Sequence, residues 1–284
     1  MKLSRCLTGG NTRLTLSHAC GMSVRHQSAD RALFSVGLLL FMNPIVVIPS
    51  RLASTRLPAK PLADIGGESM IVRVAKRALA ANVGPVAVAA GDREILDAVR
   101  HLDVMAVMTD PGLASGSDRV HSALEQIDPH KSFDTIINLQ GDLPFFEASD
   151  LPAVLRPLQE EAFDVGTLVS SVQDDEEAQR ASVVKTACAF RSESDVARAL
   201  YFSRMPIPWG GGPLWHHVGV YAWRRHALER FVSLPPSPLE KRESLEQLRV
   251  LEAGMSIGCV RIAHAPFGVD TPEDLMRVRA LVKE

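Results

Sequence analysis

Strand and helix patterns alternate along the chain from Pro44 onward, and this alternation restricts the fold more than any other feature. Four short apolar runs each predict a buried strand, at 45–48, 86–90, 104–108 and 135–139. Apolar side chains at helical spacing predict helices between them, over 70–81, 93–102 and 117–127 with Ser117 as N-cap. Such alternation is typical of βαβ units, so we expect an α/β fold with a mostly parallel, doubly wound sheet.

The second half of the chain continues with a less regular pattern. Its predicted strands lie at 165–171, 183–190, 216–223 and 257–263. Its predicted helices lie at 174–179 and 239–251, and a last helix starts at Thr271 with Pro272 in its first turn. Residues 201–209 carry two prolines and are expected to form a loop.

Composition places the chain among ordinary globular proteins. It is 46% apolar and 23% charged, and its formal net charge of −2 gives no strong field for nucleic acid or membrane. An anionic ligand would therefore have to be held by local cations. The four cysteines show no CxxC spacing, which makes a zinc site or a disulfide framework improbable and suits free thiols in a reducing cytoplasm.

Residues 1–41 differ from the rest because Asp30 is their one acidic residue among several arginines. An Arg- and Ser-rich transit peptide fits this composition, whereas a secretory signal would have its apolar region nearer the start. The simplest hypothesis is that Met42 is the true start and that 1–41 is a mis-assigned extension outside the fold. We then expect one domain over 42–284, with two halves at about 42–163 and 164–284.

A loop rich in cations and hydroxyls follows the first predicted strand. It holds Ser50, Arg51, Ser54, Thr55, Arg56 and Lys60. Such side chains suit phosphate oxygens, although the loop lacks the spacing of a P-loop or of a dinucleotide fingerprint and could equally be a solvated surface loop. Polar and glycine-rich loops follow the next three strands as well. Because the carboxyl ends of parallel strands meet at one edge, these loops predict a nucleotide site there.

Two aspartates are candidate ligands for Mg²⁺, a hard cation that takes carboxylate and phosphate oxygens. Asp142 follows the fourth strand behind a glycine, and Asp270 precedes the cap of the last helix. A turn or N-cap role is the alternative for Asp142. His217 is more often a satisfied buried histidine than a functional one, and Glu246 and Gln247 lie beside an apolar stripe of leucines where they either reach a cleft or face solvent.

Several stretches closely resemble the 3-deoxy-manno-octulosonate (KDO) cytidylyltransferases. They run in the same order from about residue 42 to the C-terminus: RLASTRLPAKPLADIGGESMIVRV, INLQGDLP, YFSRMPIPW, HHVGVYAWRR, SPLEKRESLEQLRVLEAG and GVDTPEDLMRVRAL. The first and last are shared more widely among sugar nucleotidyltransferases, whereas YFSR…IPW with ESLEQLR is specific to the KDO enzymes. The resemblance implies a cytoplasmic homodimer that transfers CMP from CTP to the anomeric hydroxyl of KDO, releasing pyrophosphate and activating KDO for lipopolysaccharide synthesis.

The resemblance also implies a nucleotide-binding half at about 42–163, a sugar-binding and dimer half at about 164–284, and residue roles. The implied CTP-binding residues are Arg51, Ser54, Arg56, Lys60, Ser115, Gly116, Ser117 and Gln140. The implied catalytic residues are Arg56, Lys60, Asp142 and Asp270, of which Asp142 and Asp270 would hold Mg²⁺. The implied sugar-binding residues are Gln140, Arg204, His217, Tyr221, Glu246 and Gln247.

Three positions depart from the family pattern. Leu143 stands where the family normally has Glu, SGSDR replaces SGTER, and AAGD at 89–92 replaces an ATDH-like turn. Two alternatives to KDO transfer stay open, and the loss of a carboxylate at Leu143 bears on the second of them. One is a cytidylyltransferase for another sugar acid, such as sialic acid or an amino-substituted KDO, and the other is a non-catalytic CTP-binding module.

Overall fold

A nine-stranded sheet and a small hairpin organise this computed structural model, which describes residues 42–54, 56–160 and 163–282. Eleven strands are present in that part of the chain: β1 Pro44–Ser50, β2 Asp64–Ile65, β3 Glu68–Ser69, β4 Val86–Ala90, β5 Met105–Met108, β6 Thr135–Asn138, β7 Val165–Ser171, β8 Lys185–Cys188, β9 Val196–Ser203, β10 Trp215–Arg224 and β11 Ile257–Arg261. The predicted extension, residues 1–41, lies outside the described residues.

Nine α-helices connect or follow these strands in the described ranges. They are α1 Met70–Ala81, α2 Arg93–Val99, α3 Gly116–Ile127, α4 Asp150–Glu160, α5 Asp175–Gln179, α6 Arg225–Ser233, α7 Pro238–Glu243, α8 Leu248–Glu252 and α9 Pro272–Leu281. A short 3-10 helix covers Lys60–Leu62. Among these helices, none combines the length and the apolar character needed to cross a membrane.

The strand order of the large sheet is β5-β4-β1-β6-β10-β7-β11-β9-β8. The first four strands pair in parallel, as does β7 with β11. The other pairings in this sheet are antiparallel. The expectation of a mostly parallel sheet is therefore correct only for its first part. Because β10 lies between β6 and β7, the two halves of the chain share one sheet.

The core lies on both faces of this sheet. Alternate residues of β1 point to opposite faces, so Val46 and Ile48 pack in one apolar cluster and Ile45 and Val47 in the other. Helices α1, α2 and α4 cover the first face, and α3, α6 and α8 cover the second. Burial on both faces explains why β1 and β4 contain continuous apolar runs in the sequence.

Several predicted elements match their observed bounds, and others require correction. Helix α1 and strands β4 and β7 occupy the predicted residues. Residues 201–203, expected in a loop, form the end of β9. Strand β9 and helix α6 were not predicted, since β9 carries Arg198 and two alanines where a half-buried strand usually has β-branched residues.

The helix predicted over 239–251 is broken in two. Helix α7 ends because Ser244 adopts a left-handed conformation with φ of 55°, and α8 begins four residues later. This break still leaves Leu245 and Leu248 buried, with 6% and 0% exposure. The apolar stripe was therefore predicted correctly, but a continuous helix was wrong.

The packing of α4 on the sheet generates a stability prediction at Gly166 of β7. A Cβ atom there would lie 2.3 Å from the carbonyl oxygen of Val154 in α4. We expect Gly166→Ala to lower the free energy of unfolding by roughly 1–3 kcal/mol, because the helix must move away from the strand. Urea denaturation measures the change.

Gly219→Ala in β10 is the matched control, since an added Cβ there meets nothing within 4 Å. We expect it to change the unfolding free energy by less than about 1 kcal/mol. Equal decreases of the unfolding free energy in the two variants would contradict a tight contact between α4 and β7.

Candidate active site

A cleft of about 360 Å³ opens at the carboxyl edge of β1, β4 and β6. Its walls come from loops that the topology brings together: Pro49, Ser50, Arg51, Ala53, Ser54, Arg56, Lys60, Pro61, Ala114, Ser115, Gly116, Arg119, Gln140, Gly141, Asp142 and Asp270. All the predicted CTP-binding residues except Ser117 are among them. The cleft is lined mainly by polar groups, among them two carboxylates and the cationic side chains that contact them.

The loop after β1 forms the cationic wall. Its first turn is fixed because the Leu52 backbone N–H donates to Asp92 Oδ2 at 2.7 Å. Ala59 then adopts a left-handed conformation, with φ of 52°, and its N–H donates to the Leu52 carbonyl at 3.3 Å. This reversal returns the chain to the sheet edge and directs Lys60 into the cleft. Thr55 lies outside the described residues.

Lys60 bridges the two candidate metal ligands. Its Nζ atom lies 2.9 Å from Asp142 Oδ2 and 3.0 Å from Asp270 Oδ1. Arg56 Nη2 makes a further ion pair with Asp270 Oδ2 at 3.2 Å. Burial alone would lower the pKa of Lys60, but the charges and hydrogen bonds of Asp142 and Asp270 outweigh it and raise that pKa. The ammonium is therefore charged at neutral pH.

A backbone contact fixes the spacing of the two carboxylates. The Val269 N–H donates to the Asp142 carbonyl at 2.9 Å and joins the two loops directly. Asp270 is followed by the predicted cap of α9, in which Thr271 and Asp274 exchange hydrogen bonds. Asp270 is thus free to face the cleft, as its position outside the cap predicted.

The candidate metal ligands in the cleft are the two carboxylates of Asp142 and Asp270. Within the described ranges, no group of three or more His, Cys, Asp or Glu side chains is placed to hold a metal ion. Two carboxylates with further oxygens from a phosphate or water are a usual way for proteins to bind Mg²⁺. Asp142 and Asp270 could therefore hold such an ion only together with a ligand.

The N-terminus of α3 faces the same cleft. Its N-cap is Ser115 rather than the predicted Ser117, because Ser115 Oγ accepts from the Asp118 N–H at 3.1 Å and the Asp118 carboxylate accepts from the Ser115 N–H. A Cβ at Gly116 would make ordinary van der Waals contacts with Pro49 Cγ at 3.4 Å and the Gln140 side-chain amide at 3.7 Å, which places this end beside both residues. Such a helix end attracts anions.

Arg119 is a cleft residue that the sequence analysis did not select. It is 2% exposed and donates to Thr109 Oγ1 at 2.5 Å and to the Asp110 carbonyl at 3.0 Å. Burial, and then the charge of Arg51, lower the pKa of its guanidinium. Gly91 gives it room, because a Cβ there would lie 2.9 Å from Arg119 Nη1. Its position in the first turn of α3 was the available signal.

A second polar group lies behind the cleft around β10. His217 Nε2 lies 3.0 Å from Thr167 Oγ1, and its ring centroid is 5.5 Å from that of Tyr221. Burial lowers the pKa of His217 to about 3 and raises that of Tyr221, so both side chains are neutral. The two rings share one side of the strand, as the alternation predicted.

Glu246 connects this region to α3. Its Oε2 atom accepts a hydrogen bond from Ser117 Oγ at 3.1 Å, and Ser117 in turn lies 3.5 Å from Asn138 Nδ2. Burial raises the pKa of Glu246, although the serine hydroxyls oppose this effect. Ser117 is therefore placed beside Glu246 and does not line the cleft.

Arg204 and Gln247 do not line the cleft either. The Arg204 guanidinium donates to three backbone carbonyls, those of Glu243 at 2.9 Å, Ala181 at 3.0 Å and Ser244 at 3.1 Å. These bonds hold the end of β9 against the break between α7 and α8. Gln247 is buried, with 6% exposure, at the start of α8.

An α/β sheet with a cationic cleft at its carboxyl edge defines a nucleotide-binding protein, and comparisons with known proteins narrow the class. The cytidylyltransferase family model matches residues 45–257. The 3-deoxy-manno-octulosonate cytidylyltransferase of Paramagnetospirillum magneticum is 52% identical over 85% of this chain and 98% of its own length. The enzyme of the same name from Parvibaculum lavamentivorans is 52% identical over 84% of this chain and 92% of its own.

Solved structures agree with this relation. The structure of a CMP:2-keto-3-deoxy-manno-octonic acid synthetase complexed with CTP matches with a TM-score of 0.77 and 38% identity, over 85% of this chain and 98% of that one. A 4-diphosphocytidyl-2C-methyl-D-erythritol synthase from Anaerococcus prevotii, with a TM-score of 0.57 and 10% identity over 86% of this chain and 99% of that one, shares the fold alone. The chain belongs to the cytidylyltransferase family, within its 3-deoxy-manno-octulosonate cytidylyltransferases.

The neutral state of His217 generates a prediction about pH and stability. Its pKa is about 3 in the folded chain and about 6.5 when unfolded. Below pH 6.5 the unfolded chain gains a proton that the folded chain does not bind. The free energy of unfolding therefore decreases as the pH is lowered. We expect this single group to cost about 2 kcal/mol by pH 5.

Urea denaturation between pH 7 and pH 5 measures this effect. The variant His217→Asn lacks the titrating group, so its unfolding free energy should fall less steeply than that of the wild type. Parallel pH slopes in the two proteins would contradict a buried, neutral imidazole at this position.

Proposed function

We propose that this chain transfers CMP from CTP to the anomeric hydroxyl of KDO, giving CMP-KDO and pyrophosphate. The observation that carries the proposal is the convergence of Lys60, Asp142 and Asp270 on one polar cleft in a chain about 52% identical to enzymes named for this reaction. By the same relation, its product serves lipopolysaccharide synthesis. The free thiols of Cys188 and Cys259 suit a reducing compartment, and we propose the cytoplasm.

The cationic wall and the α3 end would bind the triphosphate of CTP. Arg51, Arg56, Lys60 and the buried Arg119 supply positive charge, and the backbone N–H groups near Gly116 add hydrogen-bond donors. Phosphoryl-type transfer requires mostly positioning and neutralisation of charge, which such a wall provides. Arg56 and Lys60 would stabilise the pyrophosphate as it leaves.

We propose Mg²⁺ as the cofactor, with Asp142 and Asp270 as its protein ligands. Their carboxylate oxygens suit a hard cation, and their shared contact with one ammonium supports their facing a common point. When bound, the ion would neutralise the α-phosphate and lower the pKa of the attacking hydroxyl. The described cleft residues include no obvious free general base, because each of these carboxylates is paired with a cation.

The sugar acid would bind towards β10 and α8. His217 and Tyr221 offer neutral hydrogen-bonding groups for hydroxyls there, and Glu246 adds a carboxyl group. Gln140 lines the cleft and donates to Asn138 Oδ1 at 3.0 Å. Arg204 uses three of its five N–H groups on backbone carbonyls, which leaves two for a carboxylate. Gln247 sits at the start of the same short helix.

A pyrophosphate-release assay tests the proposal. CTP and Mg²⁺ are incubated with KDO, an amino-substituted KDO or a sialic acid in turn. We expect KDO to be used most efficiently. Turnover with another sugar acid but not with KDO would identify that acid as the substrate. CTP binding without pyrophosphate release would favour a non-catalytic nucleotide-binding module.

The two carboxylates provide a sharper test. We expect Asp142→Asn or Asp270→Asn to lower turnover by roughly 100-fold, because each removes charge that stabilises the transition state. Asp97→Asn, an exposed aspartate on α2, is the control and should keep full turnover. Near wild-type rates in both site variants would refute the two-carboxylate metal site.

We further propose that the chain forms a homodimer through the apolar surface of β9 and the following loop. Leu200, Met205 and Trp209 are exposed there by 65%, 64% and 100%. Analytical ultracentrifugation should show a dimer that Leu200→Ser with Trp209→Ser weakens. Met276→Ser, which changes an exposed residue of α9, should leave the mass unchanged. A wild-type monomer would refute the dimer.

A further inference from the structure

Lys60 occupies the point at which Asp142 and Asp270 meet. Its side chain is 17% exposed, and its ammonium contacts both carboxylates within 3.0 Å. Asp142 and Asp270 are themselves 29% and 43% exposed, so solvent reaches them from the cleft side. A metal ion held by the same two oxygens would therefore have to share its place with a positive charge.

An ammonium and a divalent cation cannot both remain within contact distance of the same two oxygens. Two like charges that close together repel strongly at the effective dielectric of a partly buried site. Without either cation, Asp142 would lose its ion-pair partner and Asp270 would keep only Arg56 Nη2, at 3.2 Å. Lys60 thus performs in the ligand-free chain the neutralising role that a metal ion would take over.

The side chain of Lys60 has an alternative position. Its backbone is fixed by the left-handed Ala59 and by the buried Pro61, but the four-carbon stem can rotate about each bond. The cationic wall that would hold the triphosphate lies in the same cleft as Asp142. Phosphate oxygens there would accept the hydrogen bonds of the ammonium when it leaves the carboxylates.

We propose that Lys60 is a resident cation that closes the metal site until nucleotide arrives. In the nucleotide-free chain it holds Asp142 and Asp270 in place and excludes a divalent ion. When the triphosphate enters, the ammonium moves onto phosphate oxygens and the two carboxylates become available to the metal. The inference rests on the proposed function for the identity of the nucleotide, but its first half concerns the ligand-free protein alone.

Binding of Mn²⁺ to the nucleotide-free protein, followed by electron paramagnetic resonance, tests the proposal without turnover. Lys60→Met keeps the length of the side chain and removes its charge, so we expect it to bind Mn²⁺ about tenfold or more tighter than the wild type. Lys60→Arg keeps the charge and should bind as weakly as the wild type. Lys76→Met, on the outer face of α1, is the control for losing a lysine elsewhere and should also match the wild type.

Equal or weaker Mn²⁺ binding by Lys60→Met would overturn the proposal. If that variant does not fold, amine acetylation of the wild type read by mass spectrometry gives a second test. Saturating Mn²⁺ should make Lys60 react faster as it is displaced, whereas an unchanged rate would overturn the displacement.

The pyrophosphate-release assay on the wild type separates the proposed transfer reaction from the role of Lys60 as a resident cation. Release with KDO but no gain in Mn²⁺ affinity for Lys60→Met would leave the proposed function standing and reject the resident cation. A gain in affinity without release would support the resident cation and reject the function.

Discussion

The contact of Lys60 with Asp142 and Asp270 is the interaction on which the rest of the site depends. It joins side chains 82 and 210 residues apart in the sequence. A backbone hydrogen bond between Val269 and Asp142 makes the same connection independently. The cleft therefore exists only when the first strand, the fourth parallel strand and the C-terminal loop are all in place, which explains how side chains far apart in the sequence meet at one edge of the sheet.

The elements that depend on local sequence pattern and on the parallel part of the sheet could be predicted from the sequence. Strands buried on both faces leave continuous apolar runs, and the stop at Asn82 ends α1 at the predicted residue because Asn82 adopts a left-handed conformation. Once the strands were placed, the rule that loops converge at their carboxyl edge was enough to bring Lys60 and Asp142 together. Asp270 could be selected because the cap of α9 did not need it.

What the sequence could not supply depends on contacts between distant segments. The break at Ser244 accompanies hydrogen bonds from Arg204 to the carbonyls of Glu243 and Ser244, and no helical periodicity records such contacts. The N-cap of α3 was predicted at Ser117, two residues after the observed capping box of Ser115 and Asp118. Arg119 was overlooked because a buried arginine bonded to hydroxyl and carbonyl oxygens resembles any surface arginine in the sequence.

Leu143 follows Asp142 in the chain and adds no charge to the site. The side chain is 8% exposed and belongs to an apolar cluster, and it approaches the glycine that precedes Val269. A carboxylate pointing there would lose its water without gaining a cation, which is costly. With leucine instead, the wall holds two carboxylates, and Lys60 and Arg56 supply one positive charge for each. That balance is what allows a lysine alone to take the central position between the aspartates.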